Sequence, residues 1–178
     1  MKKWMSILLA AVCLFSFAGC QKEEIGVTIK PFPAFKSVDF EGNAIDNDVF
    51  KDYDATIVNV WSNGCGSCIE EMPELEAYYQ QFKDKDVHLM GIAVSACDSQ
   101  QERAQSAAIL EKKGVTYPNL ILDPESDFYR DFIGDIAGFP ATYVVDRNGN
   151  MVGAPITGVV KPQEDRLIKR IEQAQAQN

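Results

Sequence analysis

The chain is expected to fold as one α/β domain, a mixed central sheet with helices on both faces. Three observations lead there. Two near-continuous apolar runs, 56–61 and 87–94, suit strands buried on both faces in a parallel arrangement. An amphipathic helical pattern lies between them, which gives strand–helix–strand order. The last third then changes to two strand patterns joined by a turn and a closing helix, so antiparallel strands join the parallel ones.

Along the chain, residues 35–40 alternate apolar and polar side chains, the period of a strand. Glu41-Gly42-Asn43 supplies turn chemistry, and Ala44-Ile45 returns as a second short strand. After the run 56–61, a helix is expected over about 68–82, because Met72, Leu75, Tyr79 and Phe82 recur at spacings of three and four. Pro73 should kink it. After the strand 87–94, residues 101–113 make a helix that stops at Gly114. Residues 119–122 form a short strand and 126–133 a short helix. Residues 141–145 and 151–156 are strands joined by a hairpin turn at Asp146-Arg147-Asn148-Gly149. An amphipathic helix over 162–173 closes the domain. The sequence carries no internal repeat, low-complexity tract or second domain.

Residues 1–19 have the pattern of an export signal peptide: Lys2 and Lys3, an apolar run over 7–17, then Ala18-Gly19 before Cys20. The run is short for a membrane span. Its end resembles a bacterial lipobox, in which the cysteine is lipidated and becomes the new N-terminus. Cys20 is therefore the expected lipidation site, and the protein is expected outside the cytoplasm, anchored to the bacterial cell membrane. Residues 20–32 would form a polar, lipidated tether and residues 33–175 the folded domain. The chain has 26 acidic against 17 basic residues, a net charge of −9. That argues against nucleic acid and against electrostatic attachment to anionic lipid.

Of five cysteines, Cys13 leaves with the signal peptide and Cys20 is claimed by lipidation, so Cys65, Cys68 and Cys97 remain as thiols. Three thiols cannot build a disulfide framework for a domain of this size. Two cysteines separated by two residues in an exported protein point instead to redox chemistry. The spacing places Cys65 at the start of the helix, where free backbone N–H groups and the helix dipole favour a thiolate. It places Cys68 one turn further in. A zinc site would need two more ligands, and the chain offers only Cys97 and His88, the latter read as a surface or edge residue of its strand. No metal is expected, and no cofactor beyond the Cys65–Cys68 disulfide itself. Cys97 follows the strand 87–94. If that strand lies parallel to and beside 56–61, Cys97 leaves the same sheet edge as the pair, either as a third redox thiol or as a small buried residue.

The stretch Asn59-Val-Trp-Ser-Asn-Gly-Cys-Gly-Ser-Cys-Ile-Glu-Glu-Met-Pro-Glu-Leu75 and the later Gly138-Phe-Pro-Ala-Thr142 resemble thioredoxin-fold thiol–disulfide oxidoreductases of the TlpA/ResA-like group, membrane-tethered relatives of thioredoxin. The resemblance covers about residues 33–173. It implies a thioredoxin fold with an N-terminal β extension and, after Val94, an inserted helix and strand. It also implies site roles: Cys65 and Cys68 as the catalytic pair, and Glu71, one helical turn past Cys68, as an acid/base that moves the proton of the buried cysteine. Pro140 is similar to the family's cis-proline, which leaves the backbone of Phe139 free to meet a substrate strand. Trp61, at the end of the buried strand, either packs against the active-site turn, as a further candidate for the substrate-binding surface, or is a plain core aromatic. Asn59 stands where thioredoxin keeps a buried Asp, so a protein-borne base must come from elsewhere, which favours Glu71 over its reading as a solvated acid beside Glu70 and Glu74. Gly64 and Ser67 depart from the Trp and Pro common in relatives.

The expected activity is thiol–disulfide exchange with disulfide-containing extracytoplasmic proteins. The resemblance implies a reducing role, as in cytochrome c maturation, with a membrane electron donor of the thiol-transferring type. The alternative is a thiol peroxidase of the peroxiredoxin kind using Cys65, since Ser62 stands three residues before it; Val58 stands where such proteins carry proline. A copper chaperone of the same fold ranks last, because its cysteine spacing is one residue longer and His88 is poorly placed for it.

Overall fold

The computed structural model describes residues 28–177; the expected signal peptide, Cys20 and the tether up to residue 27 lie outside the described residues. The elements are β1 (Ile29–Pro31), β2 (Lys36–Asp39), β3 (Ala44–Asp46), β4 (Ala55–Trp61), α1 (Gly66–Phe82), β5 (Val87–Ala93), α2 (Gln100–Lys113), β6 (Asn119–Ile121), β7 (Ala141–Asp146), β8 (Asn150–Val152), β9 (Ile156–Thr157) and α3 (Glu164–Gln175). They form one sheet in the order β1-β8-β7-β4-β5-β6-β2-β3, with β9 also on β7. At its centre β4 pairs parallel with β5 and antiparallel with β7. The sheet is mixed, as the change of pattern along the chain implies.

All seven residues of β4 and all seven of β5 are buried, which explains their continuous apolar character. Ala55 and Ile57 pack with Leu75 and Tyr78 of α1 and Leu167 and Ile171 of α3. Val58 and Val60 turn to the other face, among Phe32, Phe35, Phe50 and Phe128. Helical segments cover both faces, though unequally. Helices α1 and α3 pack with Ala55 and Ile57, while the opposite face is closed by aromatic side chains and two short segments, Asn47–Asp52 and Phe128–Ile133. The second of these was expected as an ordinary short helix and is a wide π-type turn.

Three expectations are corrected. The domain begins earlier than residue 33: Ile29–Pro31 pairs with β8 and Phe32 is only 4% exposed, so residues 29–31 belong to the sheet and Phe32 to the core rather than to a tether. The expected strand 151–156 is two strands. Val145 faces Met151 but Thr142 faces Ile156, so the returning segment loops out between them. Gly153 at φ 75 and Pro155, which has no N–H, break the ladder there. On α1 the deeply buried ring is Tyr78, and Tyr79 is half-buried beside the core. Helix α1 continues through Pro73. Helix α2 ends as expected, with Gly114 in the left-handed conformation at φ 68.

Candidate active site

Strands β4 and β5 run parallel and in register, Trp61 opposite Ala93. The loops that follow them therefore leave the sheet together at the carboxyl ends of the central strands, where open α/β sheets carry their sites. Cys65 caps α1: its backbone is extended, and its sulfur accepts the Cys68 N–H at 3.2 Å. No acidic residue sits in the first turn of α1. The free N–H groups and the helix dipole thus act on the Cys65 sulfur with no carboxylate from that first turn opposing them. Cys65 and Cys68 form a disulfide, with Cα atoms 5.3 Å apart. The two sulfurs differ in access: Cys65 is half-buried and Cys68 only 1% exposed.

Below the pair lies a small apolar cluster of Trp61, Cys68, Met72, Ala93 and Leu110, with Cys65 and Phe139 packed against it. Trp61 is 1% exposed and donates its indole N–H to Asn119 Oδ1 at 2.8 Å. It supports the disulfide from underneath and cannot meet a partner, which corrects its assignment to the binding surface. The Phe139–Pro140 peptide is cis. Phe139 is half-buried and packs against both the cysteine cluster and the aromatic layer, so of the two loop residues it has the side chain nearer the surface.

Glu71 is 5% exposed on α1. One carboxylate oxygen accepts the Val160 N–H at 2.9 Å and the other accepts the Asn59 amide at 3.2 Å; Asn59 also donates to Thr142 Oγ1 at 3.0 Å. Burial raises the Glu71 pKa above its ordinary value, and the hydrogen bonds from Val160 and Asn59 offset part of that. The acid expected one turn past Cys68 is therefore a buried group with a tuned pKa, not a solvated side chain.

Cys97 does leave the same sheet edge as the pair. Its thiol donates to Val94 O at 3.1 Å, and burial together with the Asp98 charge pushes its pKa up. That environment suits an unreactive thiol. His88 is not an edge residue. It pairs with Thr56 at the far end of the central strands, 7% exposed, stacked on the Tyr53 ring at 4.4 Å. Five residues of strand separate Thr56 from Trp61, roughly 16 Å, so His88 cannot join the cysteines around a metal ion.

Asn63 escaped sequence reasoning. Its amide donates to Glu102 O at 2.9 Å and Glu102 Oε2 at 2.7 Å, its side-chain oxygen accepts the Ser106 hydroxyl at 2.8 Å, and its backbone N–H reaches Ser95 Oγ at 3.2 Å. Two residues before Cys65, it fastens the redox loop to α2 and to the turn after β5. The polar residue inside an otherwise small-residue loop was the available signal. Its partners lie 32 to 43 residues away, beyond any local pattern.

The arrangement is a half-buried sulfur at a helix N-terminus, a fully buried sulfur bonded to it, and a buried carboxyl one helical turn further along α1. It can run a thiol–disulfide exchange with a resolving second step. Comparison with known proteins agrees. A family model described as "AhpC/TSA family" matches residues 29–154. The chain is 26% identical over 157 residues to the thiol-disulfide oxidoreductase ResA of Bacillus thuringiensis (strain Al Hakam), covering 87% of this chain and 83% of that protein. It is 24% identical to the thioredoxin-like protein YneN of Bacillus subtilis (strain 168), covering 84% of this chain and 86% of that one. Among solved structures, a thiol:disulfide interchange protein of the thioredoxin family from Chlorobium tepidum TLS superposes with a TM-score of 0.65 at 25% identity. That match covers 83% of this chain and 97% of the other.

Proposed function

Because the chain belongs to the AhpC/TSA family and is a thioredoxin-like thiol–disulfide oxidoreductase, we propose that it reduces disulfides in extracytoplasmic proteins through the Cys65–Cys68 dithiol. The Cys65 thiolate attacks one sulfur of the partner's disulfide, forming a mixed disulfide and releasing the partner's other sulfur as a thiolate. Cys68 then loses its proton and attacks Cys65, which closes the Cys65–Cys68 bond and frees the partner fully reduced. Two electrons have moved to the partner. A membrane dithiol donor restores them for the next cycle. Glu71 takes the Cys68 proton, and Phe139 beside the cis-proline meets the partner chain. The leader pattern and Cys20 support an extracytoplasmic location with a lipid anchor. No helix among the described residues is long and apolar enough to cross a membrane.

The observation that carries this reading is the inequality of the sulfurs, Cys65 accessible at the α1 N-terminus and Cys68 buried behind it. It supports attack by the first and resolution by the second. Insulin reduction tests it. Cys65→Ser should abolish turnover, and Cys68→Ser should accumulate mixed disulfides on Cys65. Full activity in Cys65→Ser would remove Cys65 as the nucleophile. A chain that turned over hydrogen peroxide faster than insulin would be a thiol peroxidase instead.

A further inference from the structure

By the two-residue alternation of a strand, β4 turns Ala55, Ile57, Asn59 and Trp61 toward α1. Of these, Asn59 alone carries a polar amide. It is buried, and a buried amide is costly unless it is hydrogen-bonded. Its Nδ2 donates both to Glu71 Oε1 at 3.2 Å and to Thr142 Oγ1 at 3.0 Å. Thr142 is buried too, lies directly opposite Asn59 on β7 and follows the cis-proline Pro140 by two residues. The second Glu71 oxygen leads to the same place. It accepts the Val160 N–H at 2.9 Å, and two residues earlier the Gly158 N–H donates to the Pro140 carbonyl, also at 2.9 Å. Each carboxylate oxygen of Glu71 is thus held by contacts that lead back to residues 140–142.

We propose that Asn59 and Thr142 are positioning residues for the proton step: together they hold the Glu71 carboxylate in place from the strand that follows the cis-proline. The inference rests on the reading in which Glu71 takes the Cys68 proton, and extends it. Asn59 exchanges no proton itself. Its amide donates to the ionised carboxylate, the form that can accept one, and Thr142 takes the other hydrogen of the same nitrogen. The bonds made and broken are those already given: the Cys68 proton passes to Glu71, Cys68 bonds to Cys65, and the partner's sulfur leaves as a thiolate. Tyr117 also feels the Glu71 charge; burial, then the charges of Glu71 and Glu76, push its pKa up, so it stays neutral. Lys161, next to Val160, pairs with Glu74 and Glu164.

The test is the pH dependence of the resolving step on the full chain. Reduced protein mixed with limiting dithiobis-nitrobenzoate releases one coloured thiolate as Cys65 attacks and a second as Cys68 resolves. The second phase is followed in Asn59→Leu, Thr142→Val, Thr142→Ser and Glu71→Gln. Asn59→Leu takes a donor from the ionised carboxylate. Its rate should be about tenfold lower on the acidic limb of the profile and rejoin that of the unmodified chain on the alkaline limb. Thr142→Val should move the profile the same way by less, and it carries the test if Asn59→Leu fails to fold. Thr142→Ser, which keeps the hydroxyl, should restore the profile. Combined with Glu71→Gln, the Asn59 substitution should no longer alter the profile's shape. A loss equal at every pH, or an unchanged profile, in the folded variants overturns the inference and leaves Glu71 in its role. A full-strength profile in Glu71→Gln removes Glu71 from the chemistry and the inference with it. An unmodified chain that releases neither thiolate overturns the redox reading itself.

Discussion

Glu71 and His88 are buried titratable side chains with opposite consequences. Burial raises the Glu71 pKa, so the folded state favours its neutral form. Its contribution to stability is present below the ordinary value of 4.5 and is lost as pH rises through the raised one. As a base it works only when ionised, so its contribution to the exchange rate should increase with pH over that same interval. Glu71→Gln should lower the rate of mixed-disulfide resolution about 10- to 100-fold on the alkaline side of the interval and flatten its pH profile. Stopped-flow resolution rates against pH read this directly, and a full-strength profile in the variant would remove Glu71 from the chemistry. Burial lowers His88 to about 4 from an ordinary 6.5. That stability is present above pH 6.5 and lost as pH falls toward 4, because the unfolded chain takes up the proton first. The loss should reach about 3 kcal/mol. His88→Phe, which keeps the ring against Tyr53, should remove most of that acid dependence in urea titrations at pH 7 and pH 4.5. At this scale the sequence is most legible where chemistry is local. Cys65, Cys68, Glu71 and Pro140 sit in two short motifs. Asn63, Asn119 and Thr142 owe their roles to partners 32 to 83 residues away, so no local pattern announces them.

At the scale of elements, the loop holding Cys65 is fastened on three sides. It is tied forward to α1 by the Cys65 cap, sideways to α2 by Asn63, and downward through Trp61 to Asn119 on β6. Gly91 on β5 lies opposite Asn119 and leaves room for its side chain. Gly91→Ala should therefore push Asn119 away and break its hydrogen bond to Trp61, destabilising the domain by about 2–3 kcal/mol. Trp61 is the sole tryptophan after residue 19, so its emission should shift to the red along with the loss of stability in urea. Unchanged emission and midpoint would contradict the tie. The long strands and helices were readable because burial on both faces and 3.6-residue periodicity leave strong marks. Strand β1 was not, since Ile29–Pro31 is exposed on all three residues and is placed by pairing with β8 alone. The interruption between β8 and β9 could be read only by weighing Gly153 and Pro155 against the apolar residues around them.

For the whole molecule, the parallel pairing of β4 and β5 collects the redox loop at one edge of the sheet, and α2 with the loop after β5 closes in beside it. The order of elements was enough to read the fold class, because strand–helix–strand followed by a hairpin and a helix has few compact solutions. The direction of electron flow is a property of the whole assembly, of the thiolate stabilised by α1 against the disulfide held on the apolar cluster, and no single residue reveals it. In the proposed cycle the Cys65–Cys68 dithiol delivers electrons to partner disulfides. The reduction potential of this pair, measured by equilibration with glutathione redox buffers, tests that most directly. A reductant should show a value near that of thioredoxin, about −270 mV, and a value near that of a strong oxidant, about −120 mV, would rule out the reducing role.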